Sequence, residues 1–392
     1  MKLIIKIAGI LIISFLITQC KKEQNAQNQN TVNAEIKGLK NGDLVVFALG
    51  SYNDRQEKID SVLYDGSSDD FTFQTQGKDV AATIYVVPEG EVYNIKDKNK
   101  LYFFLEGYST IDIEADANSL MYAEISGGIY DKPELKEIKK YQEKTWELEK
   151  QAKSMLNETQ QEGWDNTKNA DVLRRADNIM KKADTIQSSE VSRLEREFVN
   201  NNPDIAYSAE LLYGDTYFKE NATADEFERV FMNLSERVRR TRVGKTVYEL
   251  MLAKKLTQLG EQAPSFNVKT VKNTKVSLDD LRGKYALICF WETWEDCMLF
   301  GLNLKGKKLR SKVDNNKLAV LNIIASDQGY YDYRAPKIGP NWMFSIDLDR
   351  SVFRTYGVLH SRTYFLLDSN GMIFMKGELN NESIEAINKE VY

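Results

Sequence analysis

Cys297 lies where the chain could carry a reactive thiol. It follows an apolar run at residues 285–290 (Tyr-Ala-Leu-Ile-Cys-Phe) that predicts a buried strand, and it stands near the start of a predicted helix. A helix N-terminus lowers the pKa of a nearby thiol and so favours the nucleophilic thiolate. Dithiol exchange also requires a second thiol, which resolves the mixed disulfide formed in the first step. The segment around Cys297 supplies no such partner.

The sequence around Cys297 resembles a redox motif that lacks both of its reactive positions. Residues 290–298 read Phe-Trp-Glu-Thr-Trp-Glu-Asp-Cys-Met. They resemble the strand-to-helix turn of membrane-anchored thioredoxin-like proteins, where Phe-Trp-x-x-Trp is followed at once by Cys-x-x-Cys. Glu295 stands at the first cysteine position, Met298 at the second, and Cys297 at the third, where proline is common. The helix dipole stabilises a carboxylate at the position of Glu295, but a carboxylate cannot exchange disulfides.

Cys297 has more than one interpretation. A free cysteine is either packed and unreactive or exposed and reactive. A catalytic pair of Cys297 with His360, the only histidine in the chain, is a further alternative. One histidine with Cys289 and Cys297 falls short of the ligand set of an ordinary zinc site. We therefore expect no metal site and no cofactor.

A second departure from the same family falls at Arg362. The resemblance implies a cis-proline before the strand at residues 364–367, facing the cysteine pair, and this chain has Arg362 there. A cis peptide before a residue other than proline costs about 2.5–4 kcal/mol, so we expect a trans and altered backbone. Arg362 and Glu295 then either form an ion pair across the former active site or remain separate solvated charges. The predicted degenerate redox site comprises Trp294, Glu295, Asp296, Cys297, Met298 and Arg362.

Residues 259–392 resemble a TlpA/ResA-like domain of the AhpC/TSA type. The apolar run at 318–325 is typical of a parallel strand that is covered on both faces. The segment 364–375 predicts two strands joined by a tight turn at Ser-Asn-Gly. The likeness is carried, in family order, by 260–266 (Gly-Glu-Gln-Ala-Pro-Ser-Phe), 276–284 (Val-Ser-Leu-Asp-Asp-Leu-Arg-Gly-Lys), 318–325 (Leu-Ala-Val-Leu-Asn-Ile-Ile-Ala) and 364–375. The resemblance implies a thioredoxin-like α/β fold.

Residues 1–19 predict a bacterial lipoprotein signal peptide. A short basic start is followed by an apolar run at 7–17, which is too short for an ordinary transmembrane helix. The run ends in Ile-Thr-Gln-Cys20, which resembles a lipoprotein processing site with Cys20 as the lipidated residue. One alternative is an uncleaved N-terminal anchor, which would also place the protein at a membrane. The other is simple secretion with Cys20 free. Residues 20–30 are polar and predict a flexible tether.

The charge balance limits the classes of partner. The chain carries a net charge of −5, and loss of Lys2 and Lys6 with the signal changes it to −7. A mildly acidic chain without a long basic block argues against a nucleic-acid partner. We expect a membrane contact through Cys20 and a protein partner in the envelope, with an outer-membrane complex as one option.

Residues 31–128 predict an antiparallel β-sandwich. Short alternating runs such as 44–49, 71–75, 82–87 and 110–114 are separated by glycines, as strands and turns are. The segments 103–107 (Phe-Phe-Leu-Glu-Gly) and 59–62 (Ile-Asp-Ser-Val) resemble an N-terminal domain of unknown function. That domain precedes thioredoxin-like domains in lipoproteins of the Bacteroidetes.

Residues 131–258 predict a helical connector. Asp131 is the expected N-cap of its first helix, with Pro133 in the first turn. A second helical pattern runs from 170 to 198 and is broken before Pro203. A third runs through 226–249, with a break expected at Gly244. Its charge runs are either solvated faces or part of a partner-binding coiled coil.

The sequence thus predicts a multidomain α+β lipoprotein of the cell envelope, anchored to the outer membrane by Cys20. Its parts are a β-sandwich, a helical connector and an α/β thioredoxin-like domain. The predicted function is protein binding, or an accessory role in an envelope complex, by a redox-inactive domain. The alternative is a thiol-disulfide oxidoreductase, or a monothiol peroxidase or reductase, that uses Cys297. The sequence leaves open whether the protein faces the periplasm or the outside.

Overall fold

The described residues form two compact units. The first unit comprises the chain up to Asp215 together with Met232–Gly244. The second comprises the residues between Asp215 and Met232, together with the chain from Lys245 onward. None of the described helices combines the length and the apolar composition needed to cross a bilayer. The computed structural model describes residues 29–50, 57–91, 99–161, 170–215, 217–292, 316–325, 342–358 and 362–391.

The first unit begins with a β-sandwich of two four-stranded sheets. One sheet has the order β4-β1-β7-β8 and the other β3-β2-β5-β6. Alternation decides which side chains face inward: in β4, Phe71 and Phe73 are buried while their neighbours are exposed. The strands are β1 (Asn30–Lys37), β2 (Leu44–Leu49), β3 (Glu57–Leu63), β4 (Asp70–Thr75), β5 (Val80–Val87), β6 (Lys100–Leu105), β7 (Thr110–Asp116) and β8 (Glu124–Ser126).

The predicted sandwich is confirmed, with one difference in strand direction. β1 and β7 are neighbours in the sheet and run parallel, whereas the other strand pairs of the sandwich are antiparallel. Parallel pairing requires a long crossover, which the strands between β1 and β7 supply. Phe47 and Phe73 stack across the two sheets at 5.3 Å between ring centroids. This stacking adds to the hydrophobic burial that holds the sheets together.

Helices complete the first unit and continue into the second. They are α1 (Pro133–Gln161), α2 (Ala170–Ile186), α3 (Ser192–Asn201), α4 (Tyr207–Gly214), α5 (Ala224–Asn233), α6 (Glu236–Arg239) and α7 (Arg242–Leu256), with π-helical turns at Gln187–Val191 and Tyr217–Asn221. In the first unit, Phe104 of the sandwich lies in one buried cluster with Ile138 of α1 and Phe198 of α3. These helices therefore cover part of the outer face of a sheet.

Hydrogen bonds and ion pairs also join the sandwich to the helices of the first unit. The Glu106 carboxylate accepts the N–H groups of Ala206 and Tyr207, at 2.9 and 3.0 Å, where α4 begins. Arg237 of α6 reaches both Glu106, at 3.1 Å, and Asp79, at 2.8 Å. A carboxylate at a helix N-terminus satisfies free N–H groups and is favoured by the helix dipole.

Two details predicted for the helices are wrong. Asp131 is not the N-cap of α1: it ends a 3₁₀ turn, and its carboxylate lies 3.4 Å from Lys136. Gly244 does not break a helix but lies in the first turn of α7, where its N–H donates to Thr241 Oγ1 at 3.1 Å. The breaks fall earlier, between α5 and α6 and between α6 and α7. The expected break before Pro203 is confirmed, since α3 ends at Asn201.

Glu195 of α3 gives the first unit a pH-dependent stability. Burial, reinforced by the charge of Asp215, raises the pKa of its carboxyl to about 7, while Arg196 acts in the opposite direction. Between pH 4.5 and 7 the folded chain keeps a proton that the unfolded chain has lost, so stability falls as the pH rises. We expect Glu195→Gln to stabilise the protein by about 1–2 kcal/mol at pH 8 and to have little effect at pH 4.5. Denaturant titrations at the two pH values measure this difference.

Glu197→Gln is the matched control for that prediction. Glu197 lies on the same helix, is exposed, and pairs with Arg193 at 2.7 Å. An exposed ion pair contributes little, so this substitution should change stability by less than about 0.5 kcal/mol at both pH values. An equal gain at pH 4.5 and pH 8 for Glu195→Gln would contradict the titration argument.

The second unit contains a five-stranded sheet of order β13-β12-β11-β14-β15. β11, β12 and β13 are parallel neighbours, and β14 and β15 are antiparallel to the strands beside them. The elements are β9 (Asn267–Lys269), β10 (Lys275–Ser277), β11 (Tyr285–Trp291), β12 (Leu318–Ile324), β13 (Trp342–Ile346), α8 (Ser351–Tyr356), β14 (Thr363–Leu367), β15 (Ile373–Glu378) and α9 (Asn381–Val391).

The apolar runs of β11 and β12 are explained by cores on both faces of this sheet. Ile288 and Phe290 pack on one face, while Leu287 and Trp291 pack on the other. The tight turn predicted between β14 and β15 is confirmed. Asp368 Oδ1 accepts the N–H of Asn370 and the N–H of Met372, at 2.8 and 2.9 Å. The thioredoxin-like α/β fold is thus present at the C-terminal end.

Candidate functional site

The candidate site lies at the carboxyl ends of the parallel strands β11, β12 and β13. In open α/β sheets, ligands bind outside this edge. The strand ends are held in register by two backbone bonds. Ala325 N–H donates to Trp291 O, and Asp347 N–H donates to Ile324 O, both at 2.9 Å. These bonds fix the starting points of the segments that leave the sheet.

The structure describes one residue of the predicted degenerate redox site, Arg362. Trp294, Glu295, Asp296, Cys297 and Met298 lie outside the described residues, as do His360 and Cys20. The predicted ion pair between Arg362 and Glu295, and the alternative pair of Cys297 with His360, therefore stay predictions. The strand end that precedes these residues is described up to Glu292.

Arg362 extends the sheet beside the end of β11. Its N–H donates to Phe290 O at 2.9 Å, and its carbonyl accepts the N–H of Leu379 at 2.6 Å. Its φ is +67°, a left-handed conformation that residues other than glycine seldom adopt. Proline has no N–H and cannot take this φ. The backbone conformation of Arg362 therefore excludes proline at this position.

The sequence predictions did not single out the ion pair between Glu292 and Arg350. Arg350 donates to both carboxylate oxygens of Glu292, at 2.8 Å each. Glu292 directly follows β11, and Arg350 lies in the loop after β13. The two side chains are 34% and 41% exposed. A bidentate arginine–carboxylate pair has a defined geometry as well as charge attraction, so it holds these two segments in one arrangement.

The loop that carries Arg350 is itself well fixed. Asp347 accepts the N–H groups of Val352 and Phe353, at 2.8 and 2.9 Å, at the start of α8. Burial raises the pKa of the Asp347 carboxyl, while the bond from Phe353 acts in the opposite direction. The Arg350 guanidinium lies 4.9 Å from the centre of the Phe353 ring, within range of a cation–π contact. The Arg350 guanidinium group is thus positioned by its own loop as well as by Glu292.

A buried polar contact supports the floor of the site. The Trp291 indole N–H donates to Asn322 Oδ1 at 3.0 Å, and the Asn322 amide reaches Met343 O at 3.4 Å. Trp291 and Asn322 are 2% and 1% exposed. The contact joins β11, β12 and β13 within a low-dielectric core, where a lost hydrogen bond is costly. These hydrogen bonds link the three strands to one another near the candidate site.

Cys289 cannot serve as a solvent-facing nucleophile. It is 2% exposed and lies in the apolar core between the sheet and α9. Its partner across the antiparallel pair is Tyr364, and burial, together with the nearby Cys289, raises the pKa of the Tyr364 phenol. Such a thiol is a packing residue. Any thiol chemistry at this edge would have to come from Cys297.

The sequence gives a signal for Glu292, but it does not predict that Glu292 pairs with Arg350. Glu292 directly follows a buried apolar strand, and it lies inside the motif that carries the resemblance. Arg350 gives no comparable signal, because nothing local shows that it adopts φ +55°. Their contact depends on the arrangement of β11, β12 and β13, which only the fold provides.

Two regions of the chain match known protein families. The AhpC/TSA family matches residues 259–375, and a domain of unknown function, DUF4369, matches residues 30–132. The thiol-disulfide oxidoreductase ResA of Bacillus anthracis is 31% identical over 160 residues, which cover 38% of this chain and 88% of that protein. The chain belongs to the AhpC/TSA family of thioredoxin-like thiol-disulfide oxidoreductases.

Other known proteins are also similar to this chain. The thioredoxin-like protein YneN of Bacillus subtilis is 32% identical over 119 residues, which cover 30% of this chain and 69% of that protein. Among solved structures, a thiol-disulfide oxidoreductase from Bacteroides fragilis is 24% identical, with 34% of this chain and all of that chain covered and a TM-score of 0.27. The thioredoxin domain of an oxidoreductase from Bacteroides vulgatus is 19% identical, with 34% and 99% covered and a TM-score of 0.30.

Proposed function

We propose that this chain is a lipid-anchored protein of the cell envelope whose AhpC/TSA domain binds a protein partner and does not exchange disulfides. The observation that carries the proposal is the backbone of Arg362. Its N–H bonds to Phe290 O and its φ is +67°, a conformation that proline cannot adopt, and the resemblance assigns this position to the proline that faces the redox pair.

The sequence of the strand-to-helix turn supports the same proposal. Glu295 and Met298 occupy the two cysteine positions, and a carboxylate or a thioether cannot form the mixed disulfide. Cys289, the described cysteine, is buried in the core. The sheet and its strand ends are nevertheless retained with full packing. A sheet that keeps the carboxyl ends of its parallel strands but lacks the cysteine pair beside them is consistent with binding rather than disulfide exchange.

The second candidate is a monothiol reductase or peroxidase that uses Cys297. It is favoured by the names of the relatives, several of which are thiol-disulfide oxidoreductases. It is also favoured by the position of Cys297 in the family motif. A monothiol enzyme needs an external thiol, such as a small-molecule reductant, to resolve each mixed disulfide.

An insulin-reduction assay with the full chain separates the two candidates. The wild type and Cys297→Ser should both give the rate of the uncatalysed reaction with dithiothreitol, with an intact thioredoxin as the positive control. Thiol titration of the native and denatured chain then shows which thiol is accessible, and Cys289 should react only after denaturation. Turnover by the wild type that disappears in Cys297→Ser would replace the binding proposal with the monothiol one.

The lipid anchor is a separate part of the proposal and has its own test. It depends on Cys20 and the apolar run before it, both of which lie outside the described residues. Membrane fractionation of cells expressing the full chain, beside Cys20→Ser, measures whether the tether requires this cysteine. Equal membrane retention of both chains would favour an uncleaved N-terminal anchor.

A further inference from the structure

Asn30 fixes the point at which the chain enters the β-sandwich. It is the first residue of β1 and is fully buried. Its side-chain N–H donates to Gly77 O, and its side-chain oxygen accepts the N–H of Ser109 at 2.9 Å. A buried amide whose donor and acceptor are both bonded is held in one orientation. The segment before Asn30 therefore joins the sandwich beside the two turns that contain Gly77 and Ser109.

Lys78 and Tyr108 lie next to this entry point. Lys78 follows Gly77 in the chain, and Tyr108 precedes Ser109. The Lys78 ammonium is 5.7 Å from the centre of the Tyr108 ring, within range of a cation–π contact. Both residues are exposed, Tyr108 by 40%. Within the described part of the chain, Lys78 forms no ion pair with a carboxylate.

The acidic residues beside this pair are bound by an arginine. Arg237 contacts Asp79 at 2.8 Å and Glu106 at 3.1 Å. The Gly107 N–H donates to Asp79 Oδ1 at 2.8 Å, which ties the two turns to each other. The lysine charge is therefore not neutralised by the nearest carboxylates, and the two turns form one fixed surface.

The segment before Asn30 sets how far this surface lies from a membrane. Nine residues, 21–29, separate Asn30 from Cys20, the proposed lipid-bearing residue, and their polar composition predicts a flexible tether. A flexible segment of this length has ends about 17 Å apart on average and about 30 Å apart when fully extended. A lipid on Cys20 therefore keeps this end of the sandwich beside the bilayer, at a local concentration on the order of millimolar.

A tyrosine and a lysine have the chemistry that contact with lipid headgroups requires. Tyrosine rings are enriched at the membrane–water interface, where the ring is shielded and the hydroxyl stays hydrated. A lysine stem lies along apolar surface while its ammonium reaches the lipid phosphates. The opposite end of the sandwich is farther from the tether. β1 has eight residues and is about 26 Å long, and Lys40 lies beyond its far end.

We propose that Lys78 and Tyr108 form a membrane-contact surface that rests on the phospholipid headgroups of the bilayer in which Cys20 is anchored. This inference rests on the lipid anchor of the proposed function and adds an orientation to it. The end of the sandwich at Asn30 faces the bilayer, and the end at Lys40 faces away from it. Each contact is weak by itself, and the tether makes it effective by keeping the surface close to the lipid.

Lysine acetylation of the full chain, followed by mass spectrometry, tests the proposal. The anchored wild type in vesicles of phosphatidylethanolamine and phosphatidylglycerol is compared with Cys20→Ser free in buffer. Lys78 should react at least about fivefold more slowly in the vesicle sample, because headgroups cover it and hold its ammonium. Lys40, which is also exposed, is the internal control and should change by less than about twofold.

Two variants of the anchored chain test the role of the tyrosine. Tyr108→Ser removes the ring from the surface, so Lys78 should react within about twofold of its rate in the free chain. Leu63→Ser is the matched control. Leu63 is a large apolar residue that is 64% exposed, and the chain next to it bonds to the turn that contains Lys40. Its removal should leave the protection of Lys78 unchanged. Circular dichroism confirms that both variants are folded.

The outcomes separate this inference from the anchor itself. A wild type that is held in the vesicles but shows equal rates for Lys78 with and without membrane overturns the membrane-contact surface and leaves the anchor standing. Equal protection of Lys78 in the wild type and Tyr108→Ser also overturns it, as does equal protection of Lys78 and Lys40. A wild type that is absent from the membrane fraction removes the anchor, and the proposed orientation with it.

Discussion

Arg362→Pro, which introduces the residue that the family resemblance predicts at this position, should destabilise the sheet of the second unit by about 3–5 kcal/mol. Proline cannot donate to Phe290 O, and Phe290 is fully buried, so its carbonyl would lose its partner without gaining water. The proline ring also fixes φ near −65°, whereas the native φ is +67°. Hydrogen exchange of the β11 and β14 amides in the full chain measures the loss locally. This is preferable to a global melt because a chain with two compact units need not unfold in a single two-state transition.

Arg362→Gly separates the backbone effect from loss of the side chain. Glycine keeps the N–H and adopts positive φ freely, although it adds entropy to the unfolded chain. The Arg362 side chain is exposed, so its removal costs little. The glycine variant should stay within about 1 kcal/mol of the wild type. Similar loss of amide protection in the glycine and proline variants would show that the guanidinium, and not the backbone, stabilises this position.

Much of the fold of the second unit could be predicted from its sequence because its signals are local. The apolar runs of β11 and β12 predict strands that are buried on both faces, and the Asp368–Gly371 turn has the residue types that the turn requires. The sandwich was predictable from alternation alone. The parallel pairing of β1 with β7 was not, because strand order depends on contacts between distant residues.

The candidate site was predictable only in part. The departures at Glu295, Met298 and Arg362 could be predicted because the resemblance supplies a family pattern with which to compare them. The left-handed φ of Arg362 and its bond to Phe290 O could not be predicted, because they depend on how the chain pairs just before β14 and just after β15. Glu292 and Arg350 are 58 residues apart, and no local periodicity relates them. Such contacts become apparent only once the strand order is known.

The misplaced helix break at Gly244 has a similar origin. A glycine inside a helical pattern lowers helix propensity and therefore predicts the end of the helix. Here a close approach requires it. A Cβ at this position would lie 2.3 Å from Val238 O and 2.8 Å from Arg239 O. The glycine lets the start of α7 approach the backbone of α6, and this packing constraint cannot be read from the sequence of either helix alone.

Gly244→Ala should therefore destabilise the first unit by about 2–3 kcal/mol, although alanine is the better helix former. The clashing atoms are backbone carbonyl oxygens, which cannot turn away as a flexible side chain would. Either α6 and α7 separate or the hydrogen bonds of Val238 O and Arg239 O distort, and each outcome costs more than the roughly 1 kcal/mol gained in helix propensity. Denaturant unfolding followed by the helical circular dichroism signal of the full chain measures the net effect.

Gly214→Ala is the matched control, because it makes the same chemical change in the same unit. Gly214 is the last residue of α4, and an added Cβ would meet nothing within 4 Å. This variant should gain up to about 1 kcal/mol, since alanine reduces the entropy of the unfolded chain and favours the helix. The two substitutions thus have opposite predicted signs. Equal stabilisation by both would mean that α6 and α7 are not held at the distance that makes Gly244 necessary, and that its position in the helix is incidental.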